Sequence, residues 1–431
     1  MADEPLPDRS RASTVADRTR LSPWHFVVAF GLVSLFADMV YEGARSIIGP
    51  YLATLGASAA VVGVTAGVGE FIGYGLRVVS GYLVQRGRHY WTWTIVGYAL
   101  TVLSVPLIGM TGVLAPAILL YGTERLGKAV RSPAKDTLLS HASTRTGRGA
   151  AFGVHQAMDQ VGAVAGPLLL AAVLALHSGD YHLAFAVLAI PGVLVLAVLF
   201  WLRIRVPDPA AYETVSSPGA ETAAPPPDPV AASARPGPAG GSQRPRLPRL
   251  LWQYVFAVAL LSCGVASFPL LAFHAQTQQL LSAPEVPVLF AVAMLVDGLS
   301  GLLMGRVYDV RGPGVLLAVP VAAAASAVAF ADNAALVWLG VAIWGVVNGV
   351  LDSTVKAVVT ELVEPAGRSI AFGWLAFVRG LGLLVAGAVL GFAYDRSVTL
   401  VAVLIVAANA VALLALRRVL RRMPRHAPSV A

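Results

Sequence analysis

GRGAAFG, residues 147–153, returns as GRSIAFG at residues 367–373, 220 positions further along the chain. A second echo precedes each copy: GYLVQRG at 81–87 and GRVYDVRG at 305–312. All four stretches lie at the edges of long apolar segments, and the matches fall at corresponding places. Two echoes in register argue for one multi-span unit laid down twice, and so for two related bundles.

Outward from these motifs, apolar runs of roughly 20 residues or more, each able to cross a bilayer, recur along the chain. They lie near 25–54, 57–84, 91–111, 114–140, 149–177, 182–204, 250–276, 286–308, 313–331, 334–363, 369–393 and 398–416. The composition agrees: 57% of the 431 residues are hydrophobic and only 13% charged, against about 25% charged in an ordinary soluble chain. The reading is an all-α membrane protein of about twelve transmembrane helices in two pseudo-symmetric six-helix bundles. Between them runs PDPAAYETVSSPGAETAAPPPDPVAASARPGPAGGSQRPRLP, residues 207–248, whose Pro, Ala, Gly and Ser cannot bury a core. The expected division is a cytoplasmic tail at 1–23, a bundle at 24–205, a disordered linker at 206–249, a second bundle at 250–416 and a basic tail at 417–431.

Arginine placement sets the expected orientation. With the amino end inside, the inner segments hold Arg9, Arg11, Arg18, Arg20, Arg86, Arg88, Arg145, Arg148, Arg203, Arg205, Arg244, Arg246, Arg249, Arg311, Arg368 and the cluster from Arg417 to Arg425. The outer loops hold Asp180, Glu285, Asp332 and Asp395, with Arg396 as the basic exception. Both termini are therefore expected in the cytoplasm, and a pI of 9.8 reflects topology and some attraction to anionic lipid, with no call for nucleic acid. The first 22 residues carry no signal-peptide pattern. Cys263 is the single cysteine, which excludes disulfides within the chain and Cys-based metal sites.

Charges inside the spans mark the function. Asp38, Glu42 and Arg45 share one helix face, as do Glu70, Tyr74 and Arg77. The fourth span carries the stripe Glu124, Lys128, Arg131 and Lys135, with Arg125, Ser132 and Asp136 beside it; the fifth carries His155 and Asp159, then Gly162, Gly166 and Pro167. The second half is thinner: Asp297, then Asn348, Asp352 and Lys356, then Arg379. At 1.5 Å per residue, Asp38, Glu70, Glu124, Arg125 and Asp159 fall within about one turn of the midplane, as a polar cavity requires. Intramembrane ionisable groups are functional candidates by default. The structural alternative has Arg77 or Arg125 neutralising Glu70 or Glu124. Arg131 and Lys135 are expected to snorkel to the headgroups. His155 is open between a packed polar group and a proton relay. His274, Gln276, Gln278 and Gln279 read as a solvated rim.

These features resemble the major facilitator superfamily over about residues 24–420: six plus six spans, a long central loop and a GxxxDRxG-like motif after spans two and eight. More narrowly, ADMVYE, ERLGKAVRSPAKD and RGAAFGVHQAMDQVGAVAGP are similar to a widespread bacterial subgroup with no agreed substrate. The matching positions are Asp38 and Glu42; Arg125, Gly127, Lys128, Arg131, Pro133 and Asp136; and Phe152, Gly153, His155 and Asp159. GAVAGP, Gly162 to Pro167, is similar to the fifth-helix signature of drug/proton antiporters, without the paired glycines that usually follow. The resemblance implies gating roles for Gly81, Arg86, Arg88, Gly305, Asp309, Arg311 and Asp136. It also implies that an aspartate after spans two and eight meets a helix amino end of the opposite half. Gln85 stands where the first such aspartate would be, while Asp309 is kept. Gln156 stands in place of an expected basic residue.

The expected function is a secondary active transporter of the bacterial inner membrane, working as a monomer on a small molecule with protons, most simply as an exporter. Asp38 and Asp159, then Glu42 and Glu70, are the proton-carrying candidates, because coupling needs a carboxylate whose titration responds to burial. Arg125, Arg77, Glu124, Lys128, Arg131, His155 and Arg379 are the candidates for tuning them or meeting substrate. The rival within the class is an importer or facilitator of an anionic metabolite through Arg125, Lys128, Arg131 and Arg379. A membrane-embedded enzyme and a sensor or scaffold fit less well: HExxH is absent, and no cofactor is implied. Without a GxxxxGK[ST] motif, ATP-driven pumping by this chain is not expected.

Overall fold

The computed structural model describes residues 21–87, 89–209, 212 and 247–423. The tail up to residue 20, Arg88, almost all of the expected linker and residues 424–431 lie outside the described residues. Among the described residues every regular element is a helix. The first half contains α1 (Pro23–Thr54), α2 (Ala59–Gly87), α3 (Tyr90–Thr111), α4 (Leu114–Thr146) and α5 (Arg148–Leu176). A sixth span follows, jointed at Leu188 into α6 (Tyr181–Val187) and α7 (Ala189–Arg205). The second half contains α8 (Arg249–Cys263), α9 (Phe268–Thr277), α10 (Glu285–Arg311), α11 (Ala318–Ala325), α12 (Ala334–Leu362), α13 (Arg368–Tyr394) and α14 (Val398–Leu420).

Among the described residues, ten helical stretches are long and apolar enough to cross a membrane. α4 is not among them, because Glu124, Asp136 and its arginines and lysines dilute 33 helical residues. The stretch Glu285–Phe330, 46 residues, would measure about 69 Å as a single rod, more than twice a hydrocarbon core. The chain turns instead at Gly312, whose φ of +70° is costly for any residue with a Cβ. It returns through a 3-10 turn, α11 and a second 3-10 turn ending at Phe330. With that stretch divided and α4 included, the described residues form six helical legs in each half. We call the end at which α1 begins the tail end, and the opposite end the far end.

Local chemistry sets the helix ends. Ser22 accepts from the His25 amide at 3.3 Å with Pro23 at the first helical position, a favoured start. Asp180 caps α6 through the Leu183 amide, and Asn333 caps α12 through the amides of Ala335 and Leu336.

The seventh span departs from the sequence reading, which ran it unbroken. It opens between Cys263 and Phe268, freeing backbone carbonyls at membrane depth, where they are tolerated only if protein satisfies them. Asn409 Nδ2 of α14 donates to Gly264 O at 2.8 Å, and Trp344 Nε1 of α12 donates to Ala266 O at 2.8 Å. The break lets Pro269 carry its carbonyl against Gly49 of α1, where a Cβ would collide.

Candidate transport site

Glycines place the charged helices. Gly162 and Gly166 of α5 lie against the carbonyls of Leu35 and Met39 on α1, with no room for a side chain. That approach sets Asp38 of α1 beside Asp159 of α5. Gly97 of α3 and Gly127 of α4 face each other in the same way, and they let Arg131 reach Tyr98. At Gly69 of α2 a Cβ would touch the Tyr121 and Arg125 side chains, so the missing side chain is the passage through which Arg125 meets Glu70.

Two clusters follow. In the first, Glu70 Oε1 lies 3.0 Å from Arg45 Nη2 and 3.6 Å from Arg125 Nη1. Arg125 Nε lies 2.8 Å from Glu124 Oε2, and Arg45 Nη1 lies 3.5 Å from Glu42 Oε2. This chain of alternating charge runs from α1 through α2 to α4. Arg125 is 1% exposed, and its Nη2 finds no hydrogen-bond partner among the described residues.

In the second cluster, Asp38 is 7% exposed and faces Asp159, Arg131, Lys135 and Glu42. His155 Nε2 lies 3.7 Å from Asp159 Oδ1, 3.0 Å from Lys135 Nζ and 3.1 Å from Ser34 Oγ. Contacts thus join Ser34 of α1, Lys135 of α4 and His155 and Asp159 of α5, with Asp38 of α1 in electrostatic range of that chain. Beside it, Lys128 Nζ sits 4.1 Å from the centre of the Tyr41 ring, while Arg131 stacks on Tyr41 and Tyr98 at 5.4 and 4.3 Å. Such cation–π contacts hold a charge where no carboxylate touches it.

The second half contributes less. Arg379 Nη1 of α13 donates to Asp352 Oδ1 of α12 at 2.6 Å, and the Asp352 side chain is 55% exposed. Arg379 also lies 5.1 Å from the Tyr74 ring of α2, with Arg77 of the same helix 5.3 Å from that ring. Asp297 of α10 faces Asp352, Glu42, Arg45 and Arg379, with its Oδ1 buried and unpartnered among the described residues.

The structure brings together Asp38, Glu42, Glu70, Glu124, Arg125, Lys128, Arg131, His155 and Asp159, as the stripes implied. Three readings change. Glu70 is paired by Arg45, not Arg77, because Arg45 projects from α1 across to α2 while Arg77 turns to Tyr74. Arg131 does not snorkel: it is 3% exposed, because Tyr41 and Tyr98 offer ring faces at that depth. His274 is no solvated rim. It is buried, with Nδ1 2.9 Å from Tyr394 Oη and Nε2 3.4 Å from Ala331 O. Arg45, Tyr41, Tyr74, Lys135, Asp297 and Asp352 join the set; their helical spacing was visible, but not the partner each would meet.

The gating residues divide. Gly162, Gly166 and Pro167 are buried at the α1–α5 contact. A Cβ added at Gly81 would lie in ordinary van der Waals contact with Pro133, and Arg86 lies over Tyr82 at 5.4 Å. Asp136, Asp309 and Arg311 are exposed and Gly305 is partly so. Asp309 makes no hydrogen bond or ion pair among the described residues, so the latch implied for it is not engaged here. Arg88 lies outside them.

The halves meet elsewhere. Gly63 of α2 lies on Gly387 of α13, Gly67 on Leu384 and Gly391 on Ala59, all backbone to backbone. Gln160 Nε2 of α5 donates to Met294 O of α10 at 2.9 Å. At the far end Asp395, just past α13, accepts from the amides of Ala59 and Ala60 at the start of α2, at 3.0 and 3.1 Å.

Two helical bundles that span a membrane, meet along glycine seams and point ionisable groups inward define a secondary transporter rather than an enzyme. Residues 122–387 match the model of the Major Facilitator Superfamily, and the chain belongs to that family. An uncharacterised protein of Mycobacterium tuberculosis (strain ATCC 25618 / H37Rv) is 44% identical over 418 residues, 96% of this chain and 97% of its own. An uncharacterised MFS-type transporter of Methanocaldococcus jannaschii is 26% identical over 184 residues, 43% of this chain and 46% of its own. Among solved structures, the nucleoside transporter NupG (D323A mutant) superposes with a TM-score of 0.72 at 12% identity, covering 91% of this chain and 99% of its own. A bacterial homologue of the human lysosomal transporter Spinster, inward-facing and unoccupied, gives 0.64 at 15% identity, covering 94% and 99%. At these identities the likeness is one of fold.

Proposed function

We propose that this transporter is a proton-coupled exporter of small organic molecules, acting as a monomer in the bacterial inner membrane with both termini in the cytoplasm. The observation that supports it is the grouping of buried Asp38 and His155 with half-buried Asp159 and Lys135 among three helices of one half. Two carboxylates that share a desolvated site cannot both stay ionised at low cost, so one of them is suited to take up and release a proton. Arg131 and Lys135 oppose that uptake, and a substrate that displaces or screens either cation would change the proton's affinity. This is the differential interaction that coupling needs.

Transport of an anionic metabolite has less support. Arg125 and Arg379 are already held by Glu124, Glu70 and Asp352, and Lys128 and Arg131 lie on aromatic faces.

The test is flux in liposomes holding the purified protein, with candidate solutes screened under an imposed pH gradient. Asp38→Asn keeps the shape and removes one intramembrane charge. It is expected to leave insertion and thermal stability within normal range, to abolish gradient-driven flux and to spare downhill exchange. A stable variant with unchanged proton-driven transport overturns the carrier role of Asp38.

A further inference from the structure

The far-end contact joins groups from opposite halves. Asp395 belongs to the turn after α13, yet its two carboxylate oxygens receive separate N–H bonds from Ala59 and Ala60, the first two residues of α2. Those amides have no acceptor inside their own helix, and the 29-residue helix presents the positive end of its dipole there. A carboxylate is the complementary partner. Its placement is fixed from behind: Tyr394, the neighbouring residue, is bonded through its hydroxyl to buried His274 at 2.9 Å and to Gln278 at 3.4 Å, with Phe273 edge-on at 5.7 Å. Asp395 is therefore aimed by its own half at the other half's helix. Around it the halves come close at the far end, with the α2–α13 glycine seam on one side and, on the other, Gly179, where an added Cβ would lie 3.6 Å from Ala283 Cβ.

We infer that Asp395 is a positioning residue of the transport cycle, the latch that holds the far gate closed and must release for the cavity to open there. The inference rests on the alternating-access reading of the family fold, not on protons or export. Glu285, another far-end carboxylate, supplies the contrast: among the described residues it bonds only Ser282, of its own half, accepting from the amide and the hydroxyl at 2.7 Å each.

The experiment places spin labels at Val113 and Asp332, exposed far-end positions in opposite halves, on a Cys263→Ala background, and records their distance distribution in the full-length protein. Wild type should show mainly the short distance. Asp395→Ala and Asp395→Asn, the second keeping shape while removing the charge, should raise the long-distance population about five- to tenfold; Glu285→Ala should leave it unchanged. An unaltered distribution in both Asp395 variants overturns the latch, as does an equal shift in Glu285→Ala. Failure of alternating access itself would look different: no variant and no pH would produce a long distance, while labels at tail-end positions would be equally static.

Discussion

Arg125 shows what a single residue can hold. It is almost wholly buried and stands between Glu124 and Glu70, so its guanidinium offsets two carboxylates that would otherwise be stranded in a low-dielectric interior. Arg125→Gln should therefore destabilise the protein by about 3–5 kcal/mol, read as a fall in melting temperature and detergent-solubilised yield. Adding Glu124→Gln should recover part of that loss, because the second substitution removes one of the unpaired charges; a double-mutant cycle with no coupling would detach the pair. That Arg125 and Glu124 would meet was legible, since they adjoin in the chain. That Arg45 would reach Glu70 was not, because the pairing depends on how α1 and α2 pack. Arg131 makes the same point: depth along a helix follows from residue count, whereas the direction of a side chain follows from which neighbours offer a ring or a carboxylate.

Apolar helices announce themselves at the scale of the element, because each satisfies its own backbone bonds and the bilayer demands length. The spans and their division into sixes were legible for that reason. The opening of the seventh span was not. It depends on Asn409 and Trp344 from distant helices reaching Gly264 and Ala266, and no local pattern reports that. The α2–α13 seam was hidden likewise, although its glycines were in plain view, since glycine spacing permits close contact without naming the partner. The seam makes a firm prediction. At Gly387 a Cβ would strike the backbone of Gly63 and Gly67, so Gly387→Leu should wedge the two halves apart at the far end. Inserted protein should be obtained, with cysteines introduced at far-end positions on a Cys263→Ala background gaining accessibility to a membrane-impermeant maleimide and transport falling severalfold; unchanged labelling would refute the seam's part in closure.

For the whole molecule the two ends should answer each other. Asp395 is engaged in this state, while Asp309, a carboxylate at the tail end, is exposed and has no partner among the described residues. If each carboxylate stabilises one of two closed states, Asp309→Asn should enrich the far-closed form and Asp395→Asn should deplete it. The paired distance measurements across the far end would then move in opposite directions, and movement in the same direction would disprove reciprocity.

The Gly63–Gly387 contact has a bioenergetic consequence as well. An energised membrane holds a voltage, and each charge that crosses 100 mV releases about 2.3 kcal/mol. A protein that opens toward both compartments in turn must not become a short circuit. Where two bundles meet through bulky side chains, crevices can admit files of water, and protons hop along such files. Backbone laid on backbone leaves no thread for water. The seam is then an electrical seal as well as a bearing, and protons are denied that leak beside the buried aspartates.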